Sequence, residues 1–350
     1  MTITSPDTGL AKVPLSITPL SRKEFTSSQE VRWCPGCGDY AVLAAFQSLM
    51  PELGVLRENT VIVSGIGCSS RFPYYMDTYG VHSIHGRAPS IATGIAMTRP
   101  DVAVWVVTGD GDALSIGGNH LIHAMRRNVN MTILLFNNRI YGLTKGQYSP
   151  TSEQGKVTKS TPAGSIDHPF NPVSLALGAE ATFVARTIDS DRKHLTEVLT
   201  AAVRHRGASI VEIYQNCPIF NDGAFDGLKE VGSPAIVPLR HGEPIVFGGA
   251  GELGVVRDGR TGRLQIVEVA DVGVDALVVH DAHSPDASTA LGLSQLTDTA
   301  WLSLSPIGVF RDVDRPVYDD EARAQVTMPD PDNRILKLQG LVQGPDTWTV

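Results

Sequence analysis

GDGDALSIGGNHLIHAMRRNVNMTILLFNNRIYGLTKGQ, residues 109–147, follows the apolar run VAVWVVT of residues 102–108 and contains a second apolar run, MTILLF, at residues 131–136. The first run leads straight into Gly109-Asp110-Gly111-Asp112 and the second into Asn137-Asn138, with one helix's worth of sequence between them. Two parallel strands joined by a helix bring their carboxyl ends side by side, where open α/β sheets bind ligands. Asp110 and Asn138 are therefore expected to meet at that edge. A carboxylate and an amide oxygen are hard donors suited to Mg²⁺, whose octahedral shell is usually completed by phosphates. Gly109 and Gly111 let the backbone approach such phosphates closely. Asp112 either joins the metal site or caps the helix that follows.

The rest of the composition narrows the class. At 350 residues the chain holds two domains of typical size, or one large domain with an appendage. Hydrophobic residues make up 42% and charged residues 19%, a globular balance, and the net charge of −8 argues against nucleic acid or an anionic membrane as partner. The start, MTITSPDTGLAKVPLSITPL, lacks the basic-then-apolar pattern of a secretory signal, and no later apolar run approaches the ~20 residues of a membrane span. A cytoplasmic protein with reduced thiols is the expectation.

Residues 1–25 are polar, carry three prolines and read as a flexible arm. Residues 26–224 alternate helical and strand patterns, from YAVLAAFQSLM and TVIVS through TFVAR, DRKHLTEVLTAAVRHR and ASIVEIYQN, which predicts a doubly wound parallel sheet. Residues 149–172 lack any period and are expected to form a lid that orders on binding a cofactor or subunit. From residue 225 the texture changes to an irregular C-terminal extension of unassigned role, with GVVRDGRTGRLQIVEV predicted as a hairpin.

Four cysteines, Cys34, Cys37, Cys68 and Cys217, all fall at loops. A CxxC turn with two further thiolates suits a tetrahedral zinc or a four-cysteine [4Fe–4S] cluster. Paired CxxC turns would favour zinc, whereas here the third and fourth cysteines are single and distant. Cys68 and Cys217 follow predicted strands, so they should emerge at the same sheet edge as Asp110 and Asn138, a position that favours an electron acceptor.

GDG followed at this distance by NN resembles the diphosphate-binding motif of thiamine diphosphate enzymes. Together with CPGCGD, GIGCSSR, HGRAPSIATGIA, YGLTKGQ and the closing NCP, it makes residues 25–230 similar to the β subunit of 2-oxoacid:ferredoxin oxidoreductases, most closely the 2-oxoglutarate branch. The resemblance implies Mg²⁺ on Asp110, Asn138 and the Ile140 carbonyl, and one [4Fe–4S] cluster on Cys34, Cys37, Cys68 and Cys217. It implies thiamine diphosphate against Gly109, Asp110, Gly111, Asp112, Asn138, Ile140, Gly142, Leu143, Cys68, Ser69 and His85. The implied reaction is oxidative decarboxylation of 2-oxoglutarate to succinyl-coenzyme A and CO₂, with electrons passing to a separate ferredoxin. Residues 225–350 do not look like a pyrimidine-binding domain, so an α subunit should supply that half of the site, in an α₂β₂ assembly. Lys145 and Arg71 are candidate cations for the substrate's distal carboxylate, with coenzyme A contact or plain solvation the alternatives for Lys145. His85 and Arg87 reach either the diphosphate or the substrate, which makes His85 a catalytic candidate, or else form a surface loop pair, and His120 and His123 read as helix surface. Action on pyruvate or another 2-oxoacid, and a non-redox thiamine lyase with structural zinc, stay open at this stage.

Overall fold

A computed structural model describes residues 8–230, 232–326 and 334–345. Its strands are β1 (Thr60–Ser64), β2 (Tyr79–His82), β3 (Ala103–Gly109), β4 (Met131–Asn137), β5 (Phe183–Ile188), β6 (Ala208–Tyr214), β7 (Ile236–Leu239), β8 (Val246–Phe247), β9 (Leu253–Arg257), β10 (Leu264–Glu268) and β11 (Ser305–Asp312). The helices that cover the sheet are α1 (Asp39–Leu53), α2 (Ala88–Thr98), α3 (Asp110–Leu114), α4 (Gly118–Arg126), α5 (Pro172–Gly178) and α6 (Arg192–Arg204). An eight-stranded sheet runs in the order β2-β1-β3-β4-β6-β5-β11-β7, and β8 to β10 form a small antiparallel sheet.

The central strands are apolar on both faces because both faces are covered. In β3, Val104 and Val106 join Ala88, Ala92 and Leu121 on one side, while Trp105 and Val107 join Phe46 and Leu199 on the other. β4 divides likewise, Ile133 and Leu135 against Leu134 and Phe136. The pairing of β3 with β4 is parallel and aligns Gly109 with Phe136, so the two strands end together as the sequence implies. The single helix expected between them is broken into α3 and α4 at Ser115, whose ψ of −108° is not helical. The hairpin expected at 254–269 is present as β9 and β10.

Two expectations need correction. The boundary at residue 225 does not divide the sheet: β11 pairs antiparallel with β5 and parallel with β7, so the late chain completes a mixed sheet. Without β11 the buried strand β5 would have an open edge. Pro306 and Gly308 diluted the strand signal in the sequence. The N-terminal arm, over its described part, is packed rather than loose. Leu10, Val13 and Phe25 are buried with α1 and α6, and Lys12 pairs with Asp320 at 2.5 Å. Residues 1–7 lie outside the described residues.

The late chain is tied in by a buried cation. Arg186 on β5 donates to Glu212 Oε2 at 2.7 Å, to Thr297 Oγ1 at 2.8 Å, and to Ser305 Oγ and the Pro306 carbonyl at 3.2 Å each. Both ion-pair partners are at most 2% exposed. Removing one partner of a buried pair leaves the other uncompensated, at about 3–5 kcal/mol. Arg186→Met should therefore lower urea-unfolding stability by about that amount, and Arg186→Met with Glu212→Leu should recover part of it. A loss under about 1 kcal/mol in the single variant would mean that the Glu212 carboxylate is sufficiently answered without Arg186, by the Asn137 amide that donates to its Oε1.

Candidate cofactor and metal site

The carboxyl ends of β1, β3, β4 and β6 deliver Cys68, Asp110, Asn138 and Cys217 to one edge of the sheet. A cavity of about 820 Å³ opens there, and Gly109, Asp110, Gly111, Asp112, Asn138, Ile140, Gly142, Leu143, Cys68, Ser69 and His85 all line it. Every position that the thiamine resemblance assigned to cofactor binding is thus brought together. The lining contains no lysine or arginine among the described residues.

Asp110 is buried at the start of α3. Ser149 Oγ donates to its Oδ2 at 2.5 Å, and the Thr151 hydroxyl lies 2.6 Å from the same oxygen and 2.8 Å from Asn137 Oδ1. Burial pushes the Asp110 carboxyl up to about 6, with the two hydroxyls acting in the opposite direction. Asn138 donates from Nδ2 to Gln215 Oε1 at 3.0 Å, and its Oδ1 accepts the Ile140 N–H at 3.2 Å. A buried carboxylate with hydroxyl donors and no cation beside an amide oxygen is a donor set that fits Mg²⁺. Gly111 is held by a close approach: a Cβ there would meet the Tyr141 ring at 2.1 Å. Tyr141 in turn donates from its hydroxyl to the Gly111 carbonyl at 3.0 Å.

Asp112 does not cap the helix that follows it. Its Oδ1 accepts the backbone N–H of Ile66 at 3.1 Å and of Gly86 at 2.7 Å, and faces His85 Nδ1 at 2.6 Å. Its Oδ2 accepts from Thr108 Oγ1 at 2.6 Å. Asp112 therefore clasps the loops after β1 and β2 to the end of β3 and aims His85 at the cavity wall. Arg87 turns away to His120 on α4, so His85 alone of that pair reaches the cavity, and neither His120 nor His123 lines it.

The cysteines gather behind the same wall. A Cβ on Gly142 would lie 3.4 Å from Cys68 Sγ and 3.8 Å from Cys217 Sγ. The Gly38 N–H donates to the Asn216 carbonyl at 3.1 Å, joining the CPGC turn to the Cys217 loop, and Trp33 Nε1 donates to the Cys68 carbonyl at 2.7 Å. All four thiols are free. Among the described residues, no three His, Cys, Asp or Glu side chains close on a single ion position. Burial pushes the Cys68 thiol up to about 12 and Cys37 further still, with the Asp39 carboxylate adding to both. Asp39 is itself pushed up to about 7 by burial, with a hydrogen bond from the Cys37 thiol acting in the opposite direction. Acidic groups crowded out of water without a cation fit a positively charged iron or zinc centre, which favours thiolates.

Two predicted substrate residues stand elsewhere. Arg71 lies outside the cavity lining and close enough to Cys68 to oppose the rise of that thiol. Lys145 is exposed at the rim, with a φ of 75° that turns the chain between the lining residues Thr144 and Gln147. Ser149, Thr151 and Gln215 were missed in the sequence. SPTS stands at the start of the expected lid, but no spacing rule assigns its hydroxyls to Asp110, and Gln215 looked like the end of an ordinary strand.

A family model for the thiamine pyrophosphate enzyme C-terminal domain, the domain that binds thiamine pyrophosphate, matches residues 65–213. The chain is 63% identical to the 2-oxoglutarate oxidoreductase subunit KorB of Mycobacterium tuberculosis, over 97% of its length and 91% of that protein. It is 48% identical to the 2-oxoacid:ferredoxin oxidoreductase subunit beta of a Sulfolobus species, over 54% of this chain and 63% of that one. Among solved structures it is similar to the 2-oxoglutarate:ferredoxin oxidoreductase of Magnetococcus marinus, which holds 2-oxoglutarate, coenzyme A and succinyl-coenzyme A. That likeness has a TM-score of 0.73 and 32% identity, covering 93% of this chain and 99% of the other. Fold and site define a thiamine-diphosphate-binding α/β protein. The chain belongs to the KorB family of 2-oxoglutarate oxidoreductase subunits.

Asp110 gives the site a pH dependence. A carboxyl raised in the folded state stabilises the fold only while protonated, so its contribution is present below 3.8 and lost as pH rises through about 6. A Mg²⁺ ion placed on Asp110 would have to expel that proton. Its affinity, measured by calorimetry with thiamine diphosphate present, should fall by up to about tenfold per pH unit below pH 6 and level off above. A flat profile between pH 5 and pH 8 would show that Asp110 is already ionised in the free protein.

Proposed function

We propose that this chain is the β subunit of a 2-oxoglutarate:ferredoxin oxidoreductase, which converts 2-oxoglutarate and coenzyme A to succinyl-coenzyme A and CO₂. One observation carries the reading: Cys68 itself lines the cofactor cavity, and Gly142, which also lines it, lies against the thiols of Cys68 and Cys217, so at most one residue's thickness separates these thiols from the cavity. A structural metal has no need of that proximity, whereas electron transfer from a cofactor does. Asp110, Asn138 and the Ile140 carbonyl would hold Mg²⁺, and Cys34, Cys37, Cys68 and Cys217 one [4Fe–4S] cluster. Bound thiamine diphosphate would supply the electron sink for decarboxylation, and the cluster would take up electrons one at a time.

This chain's own residues then bind and orient. Asp110 and Asn138 would fix the diphosphate end through the metal, Gly111 admits the Tyr141 ring that closes the wall beside them, and Asp112 holds His85 at the wall. Leu143 and Thr144 supply the outer wall, and Ser160 and Thr161 bring residues 149–172 over the cavity, consistent with a lid. The relatives' naming as subunit beta supports an α partner, which would provide the pyrimidine half of the site in an α₂β₂ complex, with ferredoxin as a separate acceptor. No helix among the described residues is long and apolar enough to cross a membrane. A cytoplasmic location remains the reading that the sequence supports.

Protein purified anaerobically with its α partner should contain iron and acid-labile sulfide, each near the four per chain of one such cluster. Cys217→Ser should abolish viologen reduction while thiamine diphosphate stays bound. Zinc in stoichiometric amount without iron would instead favour the non-redox lyase.

Lys145 is the rim cation available to the substrate's distal carboxylate once a partner covers the mouth. A charge-assisted hydrogen bond of roughly 1.5–3 kcal/mol corresponds to about ten- to a hundredfold in rate. Lys145→Ala should lower kcat/KM for 2-oxoglutarate by at least about tenfold and change that for pyruvate little. Equal losses for both acids would assign Lys145 to shared chemistry, and no loss for either would return it to the surface.

A further inference from the structure

Gln215 stands at the end of β6, two residues before Cys217, and is 1% exposed. Its backbone N–H donates to the Asn137 carbonyl at 3.0 Å, which fixes where the side chain begins. The side-chain amide then spans the gap between the two candidate metal centres. Oε1 accepts from Asn138 Nδ2 at 3.0 Å, while Nε2 donates to Cys37 Sγ at 3.2 Å and to the Asn216 carbonyl at 2.5 Å. We propose that Gln215 is a positioning residue that couples the two centres, orienting the Asn138 oxygen for the diphosphate metal while donating a hydrogen bond to a cluster thiolate. This rests on the reading of the cysteines and Asn138 given under Proposed function.

The polarity of this relay follows from the chemistry of its far end. The orientation of an amide is decided by its hydrogen-bond network, and a backbone carbonyl can only accept. The Asn216 carbonyl therefore draws Nε2 to its own side, where Cys37 also lies. Oε1 is left facing Asn138, so Asn138 must present Nδ2 to it. The Asn138 Oδ1 is turned the other way, where it accepts from the Ile140 N–H, the residue whose carbonyl is the third metal candidate. Two amides in series thus convert a fixed carbonyl at the cysteine end into a fixed oxygen at the metal end.

At the cysteine end the same amide acts on charge. A hydrogen bond to a cluster sulfur favours the more negative, reduced state and raises the potential. Asp39, buried beside Cys37, acts in the opposite direction. Gln215 is the amide that touches both Cys37 and Asn138, so occupancy of one centre must bias the other, and reciprocally.

Gln215→Glu and Gln215→Met separate the two arms in the anaerobic complex with the α partner. Both variants lose the donor to Cys37. Glutamate keeps an acceptor for Asn138 Nδ2, whereas methionine does not. An EPR-monitored redox titration should shift to lower potential in both variants, by about tenfold in the reduced-to-oxidised ratio at fixed potential, or about 59 mV for one electron. Mg²⁺ affinity with thiamine diphosphate, measured by calorimetry, should fall at least about tenfold in Gln215→Met and stay within about twofold of wild type in Gln215→Glu, a difference of one broken acceptor. Unmoved potentials in both variants, or unchanged Mg²⁺ affinity in Gln215→Met, overturn the inference. Iron content of the wild type separates the two readings: iron present with unmoved potentials overturns the coupling alone, and iron absent overturns the cluster assignment on which it rests.

Discussion

A carboxylate removed from water must be answered by donors or a cation, and in this fold the carboxylate of Asp110 sets that demand. Part of the answer is a continuous buried polar chain. Thr151 bridges Asp110 and Asn137, Asn137 Nδ2 donates to Glu212 Oε1 at 2.7 Å, and Glu212 pairs with Arg186. Arg186 has donors to spare, and they end on Thr297, Ser305 and Pro306. The last strand of the sheet is thereby bound to the first turn of the cofactor site. A buried network of this kind is sound only when every member is satisfied, so the late chain cannot be detached without leaving the Arg186 donors stranded in the sheet.

Arg139 repeats the arrangement one layer closer to the cavity. It is buried, has a φ of 59°, and donates from Nε to the Thr151 carbonyl at 3.0 Å and from Nη2 to the Thr299 carbonyl at 2.7 Å. Ser152 Oγ donates back to the Arg139 carbonyl at 2.6 Å. The segment after Asn138 is therefore gripped from both sides, by the start of the 149–172 loop and by the late chain. That gives residues 225–350 a physical role which their sequence does not announce.

What could be read in the sequence was whatever depends on local order. Strand ends at Gly109 and Asn137, the CxxC turn and the cysteines after β1 and β6 are fixed by apolar runs meeting polar turns, and their meeting at one edge follows from parallel topology. What could not be read depends on partners remote in sequence. The role of Asp112 is set by backbone N–H groups 46 and 26 residues away, and that of Gln215 by a thiol 178 residues away. β11 was hidden because its pairing partner β5 lies more than a hundred residues earlier and its own pattern is broken by Pro306 and Gly308. Lys145 stands exposed at the rim rather than in the wall, on a turn where its φ is positive, and nothing in the local pattern announces that turn.

Gly142 brings these strands of reasoning to one point. It follows Ile140 by two positions, lines the cavity, and has Cys68 and Cys217 at its back. A side-chain carbon there would already touch both sulfurs, so the glycine leaves no spare room between the loop carrying the Ile140 carbonyl and the two thiols. The next glycine, Gly146, has a φ of 97° and faces the Phe220 ring, with 2.8 Å to its nearest atom from a built Cβ. The loop after Asn138 thus packs through glycines against the cysteine loop, Gly142 on the sulfurs of Cys68 and Cys217 and Gly146 on the Phe220 ring. Packing that close has a functional consequence: the cavity wall at Gly142 rests directly on the thiols of Cys68 and Cys217, so neither loop can shift without moving the other.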